Sequence, residues 1–169
     1  DNNVLGYSEY EYYMLNKPAG VVSAVSDKDF KTVVELITDN KRKDLFPVGR
    51  LDKDTEGLLI ITNDGDMAHR LLSPKHHIDK TYYVVAKGSI DNKYIDEFKN
   101  GLVVDKDFTA MPAKLEILQY SNQDDTTFLN ITIQEGKFHQ IKRMFKAAGS
   151  EVLYLKRLSM GKLQLDAIL

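Results

Sequence analysis

The chain has no cysteine and no tryptophan, only four prolines, and no methionine at its first position. Without cysteine there is no disulfide, no thiolate nucleophile and no Cys-ligated zinc, a composition that fits a cytoplasmic protein. No apolar run approaches the ~20 residues that a membrane-crossing helix requires, and no signal-like segment opens the chain. An excess of one charge is also missing: 23 Lys+Arg against 25 Asp+Glu give a net charge of −2. What is present is 169 residues, 43% hydrophobic and 28% charged. That is enough for one domain with a sizeable core, or for two small lobes.

The near-neutral total hides an uneven distribution. Between Glu135 and Lys162 there are seven bases (Lys137, Lys142, Arg143, Lys146, Lys156, Arg157, Lys162) and two acids (Glu135, Glu151), while the rest of the chain carries 16 bases and 23 acids. Phosphate binding responds to the local field, so this segment is a candidate surface for a polyanion. A solvated helix face is the ordinary explanation of such a run.

Periodicity places the elements. Tyr10 to Leu15 reads as a strand stopped by the turn Lys17-Pro18-Ala19-Gly20, with Val21 to Val25 as a returning strand. Thr32-Val33-Val34-Glu35 has the form of a capping box and predicts a short helix to Ile37. Leu58 to Thr62 is an apolar strand, and Asp66 is placed to cap a helix ending at Leu72 before Pro74. Thr81 to Ala86, Ala113 to Tyr120, Thr126 to Gln134, Val152 to Leu155 and Lys162 to Leu165 read as further strands. Ile90, Tyr94, Ile95 and Phe98 share one helical face, as do Ile141, Met144, Phe145 and Ala148. Many strands with about four irregularly placed helices predict an α+β fold with a mixed, largely antiparallel sheet.

The most informative stretch is Gly49-Arg50-Leu51-Asp52-Lys53-Asp54-Thr55-Glu56-Gly57-Leu58-Leu59. Alternation along an extended segment sends Leu51 one way and Arg50 and Asp52 the other, so a cation and a carboxylate face one space while Leu51 anchors the loop. Such a loop is a candidate site for a polyanionic substrate and a carboxylate catalyst. A surface ion pair of Arg50 with Asp52 or Asp54 is the plain alternative.

This stretch resembles the signature of the ribosomal RNA pseudouridine synthases, an Arg-Leu-Asp triplet followed by Thr/Ser-x-Gly-Leu. Three more segments resemble the RsuA-like, small-subunit branch of that family: Tyr13-Met14-Leu15-Asn16-Lys17-Pro18-Ala19-Gly20, Ser73-Pro74-Lys75-His76-His77 with Lys80-Thr81-Tyr82, and Glu135-Gly136-Lys137-Phe138-His139-Gln140-Ile141-Lys142-Arg143-Met144-Phe145. They occur in the family's order from about Tyr12 to Asp166. The resemblance implies the pseudouridine synthase fold, a long mixed sheet with a central cleft and flanking helices, with residues 1–169 as the catalytic domain. Family members usually carry an S4-type RNA-binding domain ahead of it. That domain is absent from this chain, whose two ends both look cut.

The resemblance also implies roles. Asp52 is the carboxylate that either attacks the anomeric carbon of the target nucleotide or removes its 2′ proton. Arg50 enters the RNA stack when that nucleotide is extruded. Tyr82 stacks on the uracil and acts at its carbon 5, whereas Tyr83 points the other way by period two. Lys142 pairs with Asp52 and keeps it ionised. Leu158 packs on the tyrosine or the base. Lys17 supports the cleft or touches phosphate, and Lys75, His77, Lys137, Arg143 and Arg157 are candidate RNA contacts. His76, His77 and His139 do not make a metal site, because adjacent histidines diverge and no third spaced ligand completes one. The implied reaction needs no cofactor. The implied partner is ribosomal RNA, 16S by the branch resemblance, naked or within a small-subunit particle, with 23S as the alternative, and the expected state is a monomer. A non-catalytic RNA-binding module and a two-carboxylate glycosidase are the competing classes. The basic segment and the absence of tryptophan argue against the glycosidase.

Overall fold

A computed structural model describes residues 9–38 and 42–168. Its elements are β1 (Tyr12–Lys17), β2 (Phe46–Pro47), β3 (Glu56–Thr62), α1 (Gly65–Leu72), β4 (Lys80–Lys87), α2 (Asn92–Lys99), β5 (Val103–Asp105), β6 (Phe108–Thr109), β7 (Lys114–Ser121), β8 (Thr126–Ile133), α3 (Gln140–Ala147), β9 (Val152–Met160) and β10 (Leu163–Gln164). One sheet runs β1-β3-β9-β4-β8-β7, with β2 added to β3 and β10 to β9; β5 and β6 form a separate hairpin. Every pairing in the large sheet is antiparallel except β3 with β9, which is parallel and two residue pairs long. The expected α+β class with a mixed, largely antiparallel sheet is what forms.

The alternation of side chains explains the layers. On β3, Leu59 and Ile61 join one apolar cluster, and Leu58 and Ile60 join another on the opposite face. A strand buried on both sides must be apolar throughout, which is why it reads as a continuous run. The larger cluster takes Tyr82, Val84 and Ala86 of β4, Leu129, Ile131 and Ile133 of β8, and the apolar faces of α2 and α3. Phe98 and Phe145 meet there at 5.1 Å between ring centroids. The smaller cluster is roofed by α1 through Ala68, Met67 and Leu71.

Several local expectations are corrected. Val21 to Val25 is not a strand but a loop held by one bridge between Val22 and Thr32. The capping box at Thr32 and Glu35 closes reciprocally, yet only a single 3-10 turn, Val34–Leu36, follows it. Helix α1 is capped by Asp64, whose carboxylate accepts from the Met67 amide, and not by Asp66. Strand β9 continues five residues beyond Leu155, because β4 supplies a pairing partner as far as Met160.

The parallel contact between β3 and β9 is unusually close. Gly57 has φ +110°, and a Cβ at that position would lie 2.2 Å from the carbonyl oxygen of Arg157. No side chain fits there, and the backbone conformation itself disfavours one. Gly57→Ala is expected to destabilise the fold by more than about 3 kcal/mol, read as a drop in the urea midpoint with little change in the slope.

Candidate active site

The site forms where the loop ahead of β3 meets the start of α3, above the buried face of β4. The loop is fastened at several points. Leu51 is buried, its amide donating to Ser23 Oγ at 3.0 Å while Ser23 Oγ donates to the Leu51 carbonyl at 2.9 Å. The Gly20 amide donates to the Lys53 carbonyl, and the Thr55 amide closes a turn onto the Asp52 carbonyl. Lys17, fully buried, donates from its ammonium to the carbonyls of Pro18, Lys53 and Thr55 at 2.9, 2.9 and 2.7 Å. Of the two roles expected for Lys17, the geometry gives cleft support: three carbonyls saturate the ammonium and leave nothing for a phosphate. Burial pushes its pKa down to about 8, opposed by the acids Asp54, Glu56 and Asp52.

With Leu51 anchored, Asp52 faces α3. Lys142 Nζ lies 3.0 Å from Asp52 Oδ2, and His139 Nε2 lies 3.4 Å from Asp52 Oδ1. Lys142 also donates to Asp54 Oδ1 at 2.6 Å. Burial alone would lower the Lys142 pKa, but the hydrogen bonds to Asp54 and Asp52 outweigh it, so the pKa is raised and the group stays an ammonium. The same hydrogen bond from Lys142 lowers the pKa of Asp54. One cation therefore serves two carboxylates, and the simple pair of Arg50 with an acid does not form. Arg50 is exposed and makes no ion pair or hydrogen bond among the described residues.

Asp52, Arg50, Tyr82, His139, Lys142 and Leu155 line one small hollow of about 70 Å³. Larger hollows flank it. One of about 460 Å³ includes Val22, Ser23, Lys53 and Phe138; another of about 560 Å³ includes Leu72, Pro74, Lys80, Met111 and Arg157. Arg50, Gly136 and Lys137 border all three, so the three make one cleft across the molecule. Tyr82 sits on its floor, 8% exposed, while Tyr83 turns to the other face and meets Tyr154 edge-on.

The remaining expected residues divide. Lys137 is exposed at the centre of the cleft, and Lys75 and His77 are exposed beyond Pro74 on the short turn Pro74–His76 and its cap. Arg143 is turned to its own fold: it donates to Asp105 at 2.8 Å and to the Phe138 carbonyl at 3.0 Å. Arg157 is buried, with Nε donating to the Leu58 carbonyl at 2.8 Å, so it bridges β9 to β3, while its Nη2 has no partner among the described residues and the side chain borders the 560 Å³ hollow. Leu158 faces away from Tyr82, into a hollow with Asn16, Thr81 and Ser159; the aliphatic residue of β9 that lines the hollow with Tyr82 is Leu155. The slip is one of strand parity: positions 155 and 157 share the face of Tyr82, and 158 does not.

Two residues emerge that the sequence reading did not place at the site. His139 stands just ahead of α3 in a left-handed backbone and Lys142 in the first turn of that helix, and both reach Asp52. Thr55 is buried with no partner for its hydroxyl among the described residues, and it lines the hollow beside Asp52.

The sequence pattern of the RNA pseudouridylate synthase family matches residues 11–147. The chain is 51% identical over 164 residues to the uncharacterized RNA pseudouridine synthase YtzG of Bacillus subtilis (strain 168), covering 96% of this chain and 68% of that one. Two relatives are each 41% identical. Ribosomal large subunit pseudouridine synthase B of Bacillus subtilis (strain 168) covers 86% of this chain and 59% of its own, and ribosomal small subunit pseudouridine synthase A of Haemophilus influenzae covers 94% and 66%. A crystal structure of a pseudouridylate synthase, 40% identical, superposes with a TM-score of 0.86 over 95% of this chain and 67% of that one. The chain belongs to the RNA pseudouridylate synthase family. It spans about two thirds of the length of these relatives.

The Lys17 clamp gives a test. Lys17→Met leaves three buried carbonyls without their donor and is expected to cost about 2 kcal/mol in urea unfolding. The folded chain holds the Lys17 proton less tightly than the unfolded chain, whose lysine titrates near 10.5. Between pH 8 and 10.5 the unfolded state therefore binds more protons, and stability contributed through this group rises with pH. The rise is expected in the unsubstituted chain and absent in Lys17→Met.

Proposed function

We propose that the chain converts a uridine of ribosomal RNA to pseudouridine, and that 16S RNA of the small subunit is its substrate. The observation that carries this reading is Asp52, held by Lys142 and His139 at the mouth of a hollow floored by Tyr82. The reaction breaks the bond from uracil N1 to ribose C1′, turns the base, and joins C5 to C1′; the C5 proton leaves and N1 gains one. Asp52 starts it as nucleophile at C1′ or as base at the 2′ position. Lys142 pairs with Asp52 and orients it, and Tyr82 holds the freed base and receives or relays the C5 proton. Arg50, unpaired at the rim, takes the place of the extruded nucleotide in the RNA stack. The chain works on RNA in the cytoplasm as a monomer. The match to the large-subunit synthase B supports 23S RNA as a second reading.

The test is tritium release from RNA labelled at uridine C5, with 16S transcript, 23S transcript and partly assembled small subunits as substrates. Release is expected on 16S RNA or its particle. Release on 23S alone would keep the reaction and move the substrate. Asp52→Asn is expected to abolish release while RNA binding, measured by filter retention, survives; joint loss would make Asp52 structural.

Lys142→Ala is expected to lower kcat by roughly a hundredfold and to change RNA affinity far less. An unchanged kcat would remove its assigned role.

A further inference from the structure

We propose that Phe138, backed by His139, is a stacking platform for an unpaired base of the RNA beside the target uridine. The inference rests on the pseudouridine synthase reading for the nature of the polyanion and adds a nucleotide site that the reaction itself does not require.

Phe138 is 76% exposed although its neighbours in the loop are held firmly. Its carbonyl accepts from Arg143, the Lys137 amide donates to Gln140 Oε1, and Gln140 Nε2 donates to Glu135. Its ring stacks on His139 at 3.7 Å between centroids and 21° between planes, and His139 adopts a left-handed backbone, φ 49°, to place it there. A non-glycine residue seldom holds that conformation. With one face covered by the imidazole and the ring this open, the other face is presented to solvent.

The setting selects the occupant. Phe138 stands on the wall of the 460 Å³ hollow, which shares Arg50, Leu51, Asp52, Gly136, Lys137 and His139 with the hollow of Tyr82. A chain threading from one to the other passes Asp52. Arg50, Lys53 and Lys137 line the route, and Lys53 Nζ sits 3.5 Å over the ring of Phe30, which is itself 45% exposed. Cations that follow a phosphate backbone, together with an open aromatic face, are the two parts of a single-strand RNA site, and stacking accepts any base. His139 thus works on both sides, with its edge toward Asp52 and its face under Phe138.

The test uses a short single-stranded RNA with one uridine and 2-aminopurine at one flank or the other. Binding is expected to quench the fluorescence at one flank. Phe138→Ala is expected to abolish the quenching and weaken binding about tenfold; Phe138→Tyr should retain both, and Phe138→Leu should behave as alanine. The position is exposed, so these variants fold, as circular dichroism will check. Quenching that is absent, or indifferent to Phe138, overturns the platform. Self-association that Phe138→Ala abolishes would instead make the ring a contact between copies. Tritium release separates the two readings: release without Phe138-dependent quenching sinks only the platform, and no release from any RNA sinks the synthase assignment.

Discussion

The ammonium of Lys17 is the tie on which the cleft depends. It comes from the end of β1 and reaches under the loop that precedes β3, where the carbonyls of Lys53 and Thr55 point inward. Buried carbonyls need donors, and here one side chain supplies two of the loop residues as well as its neighbour Pro18. The loop is thereby pinned from below by Lys17 and from the side by Ser23, so Asp52 projects from a fixed base. The cost is a buried charge, visible in a pKa pushed down to about 8.

Above that base the electrostatics are arranged asymmetrically. Lys142 is shared by Asp52 and the more exposed Asp54, so the acid assigned to the chemistry is held without taking the whole of the cation. Asp54 can release its share to solvent at small cost, because an exposed ion pair is weak. Arg50 is left out of this network and stays available at the rim. The same loop therefore presents a restrained carboxylate and an unrestrained guanidinium two residues apart.

The cleft itself follows from the sheet. Strands β3 and β9 touch through two residue pairs, at Gly57 and its neighbour, and the loop diverges at that point. Tyr82 and Leu155 rise from β4 and β9 into the gap, and the turn before α3 roofs it. Arg157, Lys17 and Arg143 look alike in a sequence as basic residues of a polyanion site. In the fold each of the three donates to a backbone carbonyl or an internal acid, and Arg50, Lys53 and Lys137 are cations of the cleft's exposed rim.

Residue order alone determined the α+β class, the main strands and helices, the family, and the loop on which Asp52 and Arg50 share a side. These are local properties: period two, period 3.6, turn chemistry and contiguous motifs all act over a few residues. Tertiary structure decided the rest. Whether a lysine meets phosphate or three carbonyls depends on segments 36 and 38 residues away. Whether Leu155 or Leu158 stands beside Tyr82 depends on a register between β4 and β9 that shifts at Thr81 and Tyr82. That Val21 to Val25 abandons a strand to hold Leu51, and that His139 reaches Asp52, are likewise contacts between distant parts of the chain. Burial and pairing of this kind are set by the whole packing, and no window of sequence contains them.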